Sequence, residues 1–271
     1  MSDADRSPLS GPPASARPIF IVGAPRSGTT LLRLILDSHP AISCGEETHF
    51  LRELEPIVGR HWRMVEPYGF PRAYWIGRIR DLYTGFQADV LAGRGKRRWA
   101  EKDPTYTLLL PFIGELFPDA LYVHLLRDGR DVVASARDRW GWRSGARMAN
   151  GEWRRYVEAA RSLAGGLTAD RYHEVRYEAL VADPEGTLRP LFAFLGEPWD
   201  PVVLRFDEQE HAATERYRRF TAQRRAEGGE SGAIYRSRVG SGGQRLDPLL
   251  RLLLARSSGD LLRSLRAPGA R

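Results

Sequence analysis

The chain has 271 residues, 42% of them hydrophobic and 28% charged, with 7 Trp, 10 Tyr and 10 Phe. That apolar bulk excludes disorder throughout, since a folded chain of this size withdraws about 75% of its unfolded surface from water without metal or disulfide staples. A net charge of +7, from 41 Lys+Arg against 34 Asp+Glu, favours an anionic ligand without choosing among nucleic acid, lipid surface and phosphorylated substrate.

Residues 1–17 are polar and rich in Pro and Ser and read as a disordered leader, without the apolar run of a signal peptide. No later segment has the roughly 18 apolar residues that would span a membrane, so no membrane partner is expected. Pro18-Ile19-Phe20-Ile21-Val22 reads as a buried strand ending at Gly23, and the leucine and isoleucine spacing of Thr29 to Asp37 is helical. Trp75 to Leu91 is a helical pattern, Arg98 to Lys102 a short extended piece, and Tyr106 to Phe117 another helix. Ala120 to Leu126 is a near-continuous apolar strand, as in a parallel sheet covered on both faces. A helix from Arg130 to Arg139, another near Glu152 to Leu167, a strand around His173 to Tyr177 and a helix from Pro184 to Leu195 continue the alternation. Glycine-rich loops at 221–232 and 237–243 precede an amphipathic closing helix, Leu246 to Leu265. Repeated βα units predict an α/β, P-loop-type three-layer fold with a central parallel sheet flanked by helices. A single domain over 18–266 is expected, with 267–271 as a tail. Cys44, the only cysteine, cannot form an internal disulfide, which suggests a reducing, cytoplasmic compartment.

Gly23-x-x-x-x-Gly28-Thr29-Thr30 has the spacing of a phosphate-binding loop, where backbone N–H groups and a helix N-terminus cradle an anion. The position of the usual lysine holds Thr29, which argues for a donor less charged than a nucleoside triphosphate. Only two of the 41 cations are lysines, Lys96 and Lys102, the other 39 being arginines, so a lysine beside a motif stands out. Lys96, in a basic run, reads as a solvated charge.

Pro25-Arg26-Ser27-Gly28-Thr29-Thr30 resembles the 5′-phosphosulfate loop of sulfotransferases that use 3′-phosphoadenosine 5′-phosphosulfate (PAPS), and Arg127-Asp128-Gly129-Arg130-Asp131-Val132-Val133-Ala134-Ser135 resembles their 3′-phosphate motif. Leu36-Asp37-Ser38-His39-Pro40, Cys44-Gly45-Glu46-Glu47-Thr48, Lys102-Asp103-Pro104 and Arg176-Tyr177-Glu178 are similar to the tyrosylprotein branch. The resemblance implies transfer of a sulfuryl group from PAPS to an acceptor hydroxyl, with 3′,5′-ADP released and no metal. It implies that Arg26, Ser27, Gly28, Thr29 and Thr30 bind the phosphosulfate, with Arg26 also catalytic, and that Lys102 stabilises the leaving oxygen. Arg127 and Ser135 would bracket the 3′-phosphate, with Arg139, Tyr177 and Ser237 also at the nucleotide. Glu47 would be the base; Glu46 and His49 would face the acceptor, and each of them stays open as an alternative base. Asp128, Arg130 and Asp131 read as surface ion pairs.

His49 stands where the tyrosylprotein branch has an arginine for acidic peptides. A soluble, bacterial-type enzyme acting on a small molecule, glycan or tyrosyl peptide is therefore expected, its oligomeric state unread. Trp62, Tyr68, Trp75, Trp140 and Trp142 are candidates to stack on the acceptor or to join the core. A P-loop kinase would share fold and loop but wants a lysine at position 29. A nucleic-acid binder would use Arg216-Tyr217-Arg218-Arg219-Phe220 as a stacking platform, although no nucleic-acid module is recognisable and no nucleic-acid partner is expected.

Overall fold

Alternate residues of β1 (Ile19–Val22) serve two different cores: Ile19 and Ile21 pack with α1 (Thr29–Ser38), while Phe20 and Val22 pack on the opposite face of the sheet. That period-two alternation is what a strand covered on both sides requires. The computed structural model describes residues 17–209, 211 and 239–265. After β1 and α1 come β2 (Ile42–Cys44), α2 (Phe50–Val58), α3 (Trp62–Val65), α4 (Arg72–Arg94) and β3 (Arg98–Lys102). Then follow α5 (Leu110–Leu116), β4 (Leu121–Leu126), α6 (Gly129–Trp140), α7 (Trp142–Arg147), α8 (Trp153–Ala164) and β5 (Tyr172–Arg176). The described chain closes with α9 (Tyr177–Ala182), α10 (Pro184–Leu195), α11 (Gly242–Arg245) and α12 (Pro248–Ser264).

The five strands form one parallel sheet in the order β2-β3-β1-β4-β5, with Ile21 beside Lys102 and Val22 beside His124. Helices α1, α9 and α10 cover one face; α2, α4 and α5 pack on the other, and α6, α8 and α12 build a third cluster around Trp153. The α/β, three-layer expectation holds. Strand order reverses at β1, and in open sheets of this kind ligands bind beyond the strands' carboxyl ends at such a switch point.

Several local readings are corrected. Tyr106 to Phe117 is not one helix: residues 104–108 form a 3-10 turn capped by Asp103, and α5 starts afresh at Leu110. Tyr177 does not end β5 but opens α9. β2 lacks the length to be seen as a strand from sequence. Arg17, placed in the leader, is tied down through Asp119 O at 2.8 Å and Asp170 at 3.1 Å. Residues 1–16 and 266–271 lie outside the described residues, as do Ser237 and the Arg216–Phe220 cluster.

Lys96 is not a solvated charge. Its ammonium reaches the carbonyls of Asp37 and Ile42, the latter at 2.7 Å, and burial lowers its pKa against the pull of Asp37. Asp37 is fully buried and accepts from Cys44 N at 2.8 Å, from Arg94 at 2.6 and 3.0 Å and from His211 Nδ1 at 2.8 Å. Burial by itself would raise the Asp37 carboxyl, but these donors hold it well below the usual carboxylate range. The knot joins α1, β2 and α4. Breaking a buried charge network by removing one partner costs about 3–5 kcal/mol. Asp37→Asn is therefore expected to lower the urea midpoint by an amount corresponding to several kcal/mol, whereas an unchanged midpoint would remove this knot from the fold's supports.

Candidate active site

Three left-handed residues shape the loop after β1: Gly23 at φ +145, Arg26 at φ +74 and Gly28 at φ +103. A Cβ on Gly23 would stand 2.5 Å from Leu125 O, and one on Gly28 would stand 2.5 Å from the Tyr177 ring, so both positions need glycine for space as well as for backbone angle. Thr107 Oγ1 accepts from Gly23 N at 2.8 Å, and Ser27 Oγ donates back to Ala24 O at 2.6 Å. α1 then begins at Thr29 with no acidic residue in its first turn and no side-chain cap. Backbone N–H groups and the positive end of the helix dipole thus converge on one concavity.

Cations from three elements surround this loop. Arg26, half-buried, donates from Nε to Ser135 Oγ at 3.0 Å and lies 5.4 Å over the exposed Trp140 ring. Arg127, at the end of β4, stacks 4.1 Å over Tyr177 and donates to Arg26 O at 3.3 Å. Lys102, 3% exposed at the end of β3, pairs with the Glu47 carboxylate. Arg26, Ser27, Gly28, Thr29, Arg127, Ser135 and Tyr177 are therefore brought together, with Thr30 half-buried in the first turn of α1. Arg139 is on the last turn of α6 and exposed, outside the contacts that join the others.

The loop after β2 carries the other group of candidate residues. His49, at φ +56, donates from Nδ1 to Asp103 Oδ2 at 2.6 Å, and Asp103, 1% exposed, is itself fixed by Thr105 N and Oγ1 at 2.9 and 2.7 Å. An Nδ1–H given to a carboxylate leaves Nε2 as the basic nitrogen of this half-exposed ring. Glu46 is half-buried beside it. Glu47, His49 and Asp103 bring carboxylate and imidazole atoms within 4.8 Å of one another, and Lys102 supplies the positive charge at that cluster.

Motif reading missed what Asp131 and Glu101 do. Asp131 is no surface ion-pair residue: it is 2% exposed and accepts from Gly240 N at 2.9 Å and Gly242 N at 2.6 Å while lying 3.7 Å from Arg127. Asp128 and Arg130 do pair, at 3.1 Å. Trp140 stands beside Arg26. Glu101 is buried next to Lys102, and in the polar run Arg98-Trp99-Ala100-Glu101-Lys102 no sequence signal marks it.

The sequence matches the description "Sulfotransferase family" over residues 18–201. This chain belongs to the sulfotransferase family. It is 32% identical to the protein-tyrosine sulfotransferase of Drosophila melanogaster over 201 residues and 31% identical to protein-tyrosine sulfotransferase A of Caenorhabditis elegans over 203, each match covering 70% of this chain. The matched regions span 40% and 52% of those relatives' own lengths. The chain also superposes on the sulfotransferase domain of the Synechococcus PCC 7002 olefin synthase and on that of the curacin biosynthetic pathway, both at a TM-score of 0.65 and 22% identity. The former pairing covers 92% of this chain and 96% of the other, the latter 91% and 97%. The likeness to these two domains is one of fold.

Burial pushes the Glu101 carboxyl up to about 7, against the lowering effect of the Tyr83 hydroxyl and with Asp103 adding to the rise. A carboxyl raised in the folded state stabilises most below its unfolded value and loses that contribution as pH climbs through the folded value. Glu101→Gln does not titrate, so its stability relative to the wild type is expected to improve from pH 4.5 towards 7. Urea titrations at several pH values measure this; a flat difference would place the Glu101 pKa elsewhere.

Proposed function

We propose that this protein transfers a sulfuryl group from PAPS to the hydroxyl of a small molecule, glycan or tyrosyl peptide, releasing 3′,5′-ADP. The observation that carries the reading is the phosphate cradle with Thr29 in the lysine position and a compact ammonium, Lys102, supplied from the neighbouring strand. PAPS fits these residues: the left-handed Gly23, Arg26 and Gly28 turn the loop around the N-terminus of α1, where an anion is favoured, and Arg127 stacked on Tyr177 sits at the next strand end for a second phosphate. Bound there, PAPS provides the activated sulfur and a 5′-phosphate leaving group.

The residues divide the work. The Gly28 amide, the hydroxyls of Thr29 and Thr30, and the Arg26 guanidinium would stabilise charge on the transferred group, while Ser27, its N–H held by Ala24 O at 3.1 Å, shapes the loop. Lys102, a point charge where arginine would be a planar fork, faces the leaving oxygen. Arg127 and Ser135 hold the 3′-phosphate, the arginine through a two-pronged charge-assisted contact. Glu47 and His49 are the two groups that can take the acceptor's proton. Because Lys102 is paired with Glu47, donor and acceptor sides share one cation, and Lys102 would hold the leaving oxygen while Glu47 would take the acceptor's proton. The kinase reading would need a cation at position 29 and lacks it.

Calorimetry with 3′,5′-ADP tests the donor site. Binding without metal is expected, and Arg127→Ala should weaken it by about 10- to 150-fold, the equivalent of about 1.5–3 kcal/mol for a lost hydrogen bond to a charged group. Preference for ATP with Mg²⁺ would overturn the sulfotransferase reading in favour of a kinase.

A further inference from the structure

Three consecutive residues at the end of β3 each hold one residue of the loop after β2. Lys102 pairs with Glu47, Asp103 accepts from His49 at 2.6 Å, and Glu101 Oε1 accepts from Thr48 Oγ1 at 3.3 Å. The first two contacts involve groups that face the acceptor; the third joins two residues that carry no chemistry of their own. Glu101 is 2% exposed, beside Trp99, Tyr83 and Tyr106 of an aromatic cluster. The hydrogen bonds to its carboxylate come from uncharged donors: Thr48, the Tyr83 phenol, and Gln87 Nε2 at 3.3 Å. An ionisable group buried with only such donors bonded to it is costly. Packing does not explain it.

We propose that Glu101 is a positioning residue: acting through the Thr48 hydroxyl, it holds the loop that presents Glu47 and His49 to the acceptor. The inference rests on the proposed roles of those two residues. Thr48 is the hinge of the argument because its hydroxyl serves both sides, giving its proton to Glu101 while its oxygen accepts from Phe50 N at 3.3 Å, at the start of α2. Tyr106 completes the hold by accepting from Leu51 N at 2.9 Å. The next residue, His49, has φ +56, a conformation that a non-glycine residue keeps only where its surroundings enforce it. Anchors on both sides of it, Thr48 before and Phe50 and Leu51 after, provide that enforcement.

The anchor is also sensitive to protonation. Ionised Glu101 only accepts, which leaves the Thr48 lone pairs for Phe50 N; protonated Glu101 carries a hydrogen of its own and competes for them. Burial sets that exchange near pH 7. The titratable groups facing it are Tyr83 from α4, Tyr106 from the turn after β3, Cys44 from β2, Lys102 and Asp103 on its own strand, and Glu47 and His49 on the loop.

The His49 imidazole Cε1–H signal, assigned by its loss in His49→Gln, reads the loop directly. In the wild type its pH curve should show a second inflection near pH 7, absent in Glu101→Gln. Thr48→Val should shift or broaden the signal, and Thr48→Ser should restore it, which a purely packing role for the side chain would not do. A His49 signal and pH curve unchanged in both Thr48→Val and Glu101→Gln would overturn the proposal, and Thr48→Val alone decides it if the buried substitution prevents folding. Calorimetry with 3′,5′-ADP on the same samples separates the two readings. No binding by the wild type sinks the sulfotransferase assignment, while unchanged binding in Thr48→Val with a displaced His49 supports an anchor confined to the acceptor side.

Discussion

The left-handed backbone of the loop after β1 is the constraint on which the rest of the site depends. Gly28 can turn at φ +103 only because nothing projects from it, and the space a side chain would take is filled by the Tyr177 ring. Gly23 is wedged in the same way against the carbonyl of Leu125. The loop is therefore gripped by the end of β4 on one flank and the start of α9 on the other, with Thr107 bonding Gly23 N from the β3 side. Those contacts exist because β1 lies between β3 and β4 and β5 lies next to β4. Strand order and loop shape specify each other: a different neighbour for β1 would leave the loop without the walls that hold its amides inward.

A cradle of amides attracts an anion but does not by itself select one. Selection comes from where the cations originate. Arg26 is in the loop, Lys102 ends β3 and Arg127 ends β4, so three strand ends each contribute one positive group. Each has a partner inside the chain that keeps it from collapsing onto another: Glu47 for Lys102, Ser135 and the Trp140 face for Arg26, the Tyr177 face for Arg127. Aromatic faces hold a guanidinium without neutralising it. Positive potential at the sheet edge is thereby maintained in a fixed geometry, the preorganisation that electrostatic catalysis needs.

Much of this was legible in the sequence because it is local. The strand–loop–helix of residues 19–38 lies in one stretch, and the glycines, threonines and apolar spacing are visible there together. Lys102 was conspicuous because arginine fills 39 of the 41 cationic positions. Lys96 reads instead as a solvated charge of its basic run, because its partners, the carbonyls of Asp37 and Ile42, are more than 50 positions away in sequence. Asp131 was misread for a related reason: in sequence it is one acid in an Arg-Asp-Gly-Arg-Asp run, and only folding brings Gly240 and Gly242 onto it. Glu101 is the extreme case. Nothing in Arg98-Trp99-Ala100-Glu101-Lys102 says which faces are covered, and its meaning arises from Thr48 and Gln87, each supplied by a different element.

The distribution of charge also bears on the competing readings. A net +7 suggests a polyanion track, yet many of the arginines are committed within the fold: Arg94 to Asp37, Arg97 and Arg98 to Glu197, Arg161 to Glu174, Arg154 to Asp260. Several of these pairs clamp one element to another, as Arg98 does between β3 and the end of α10 through Leu195 O. A nucleic-acid surface requires the opposite, a stripe of cations turned outward to meet successive phosphates. What the described residues offer instead is a set of three cations around one loop. Among the described residues these pairings use arginine as an internal clamp, and the proposed ligand class rests on the three groups at the strand ends.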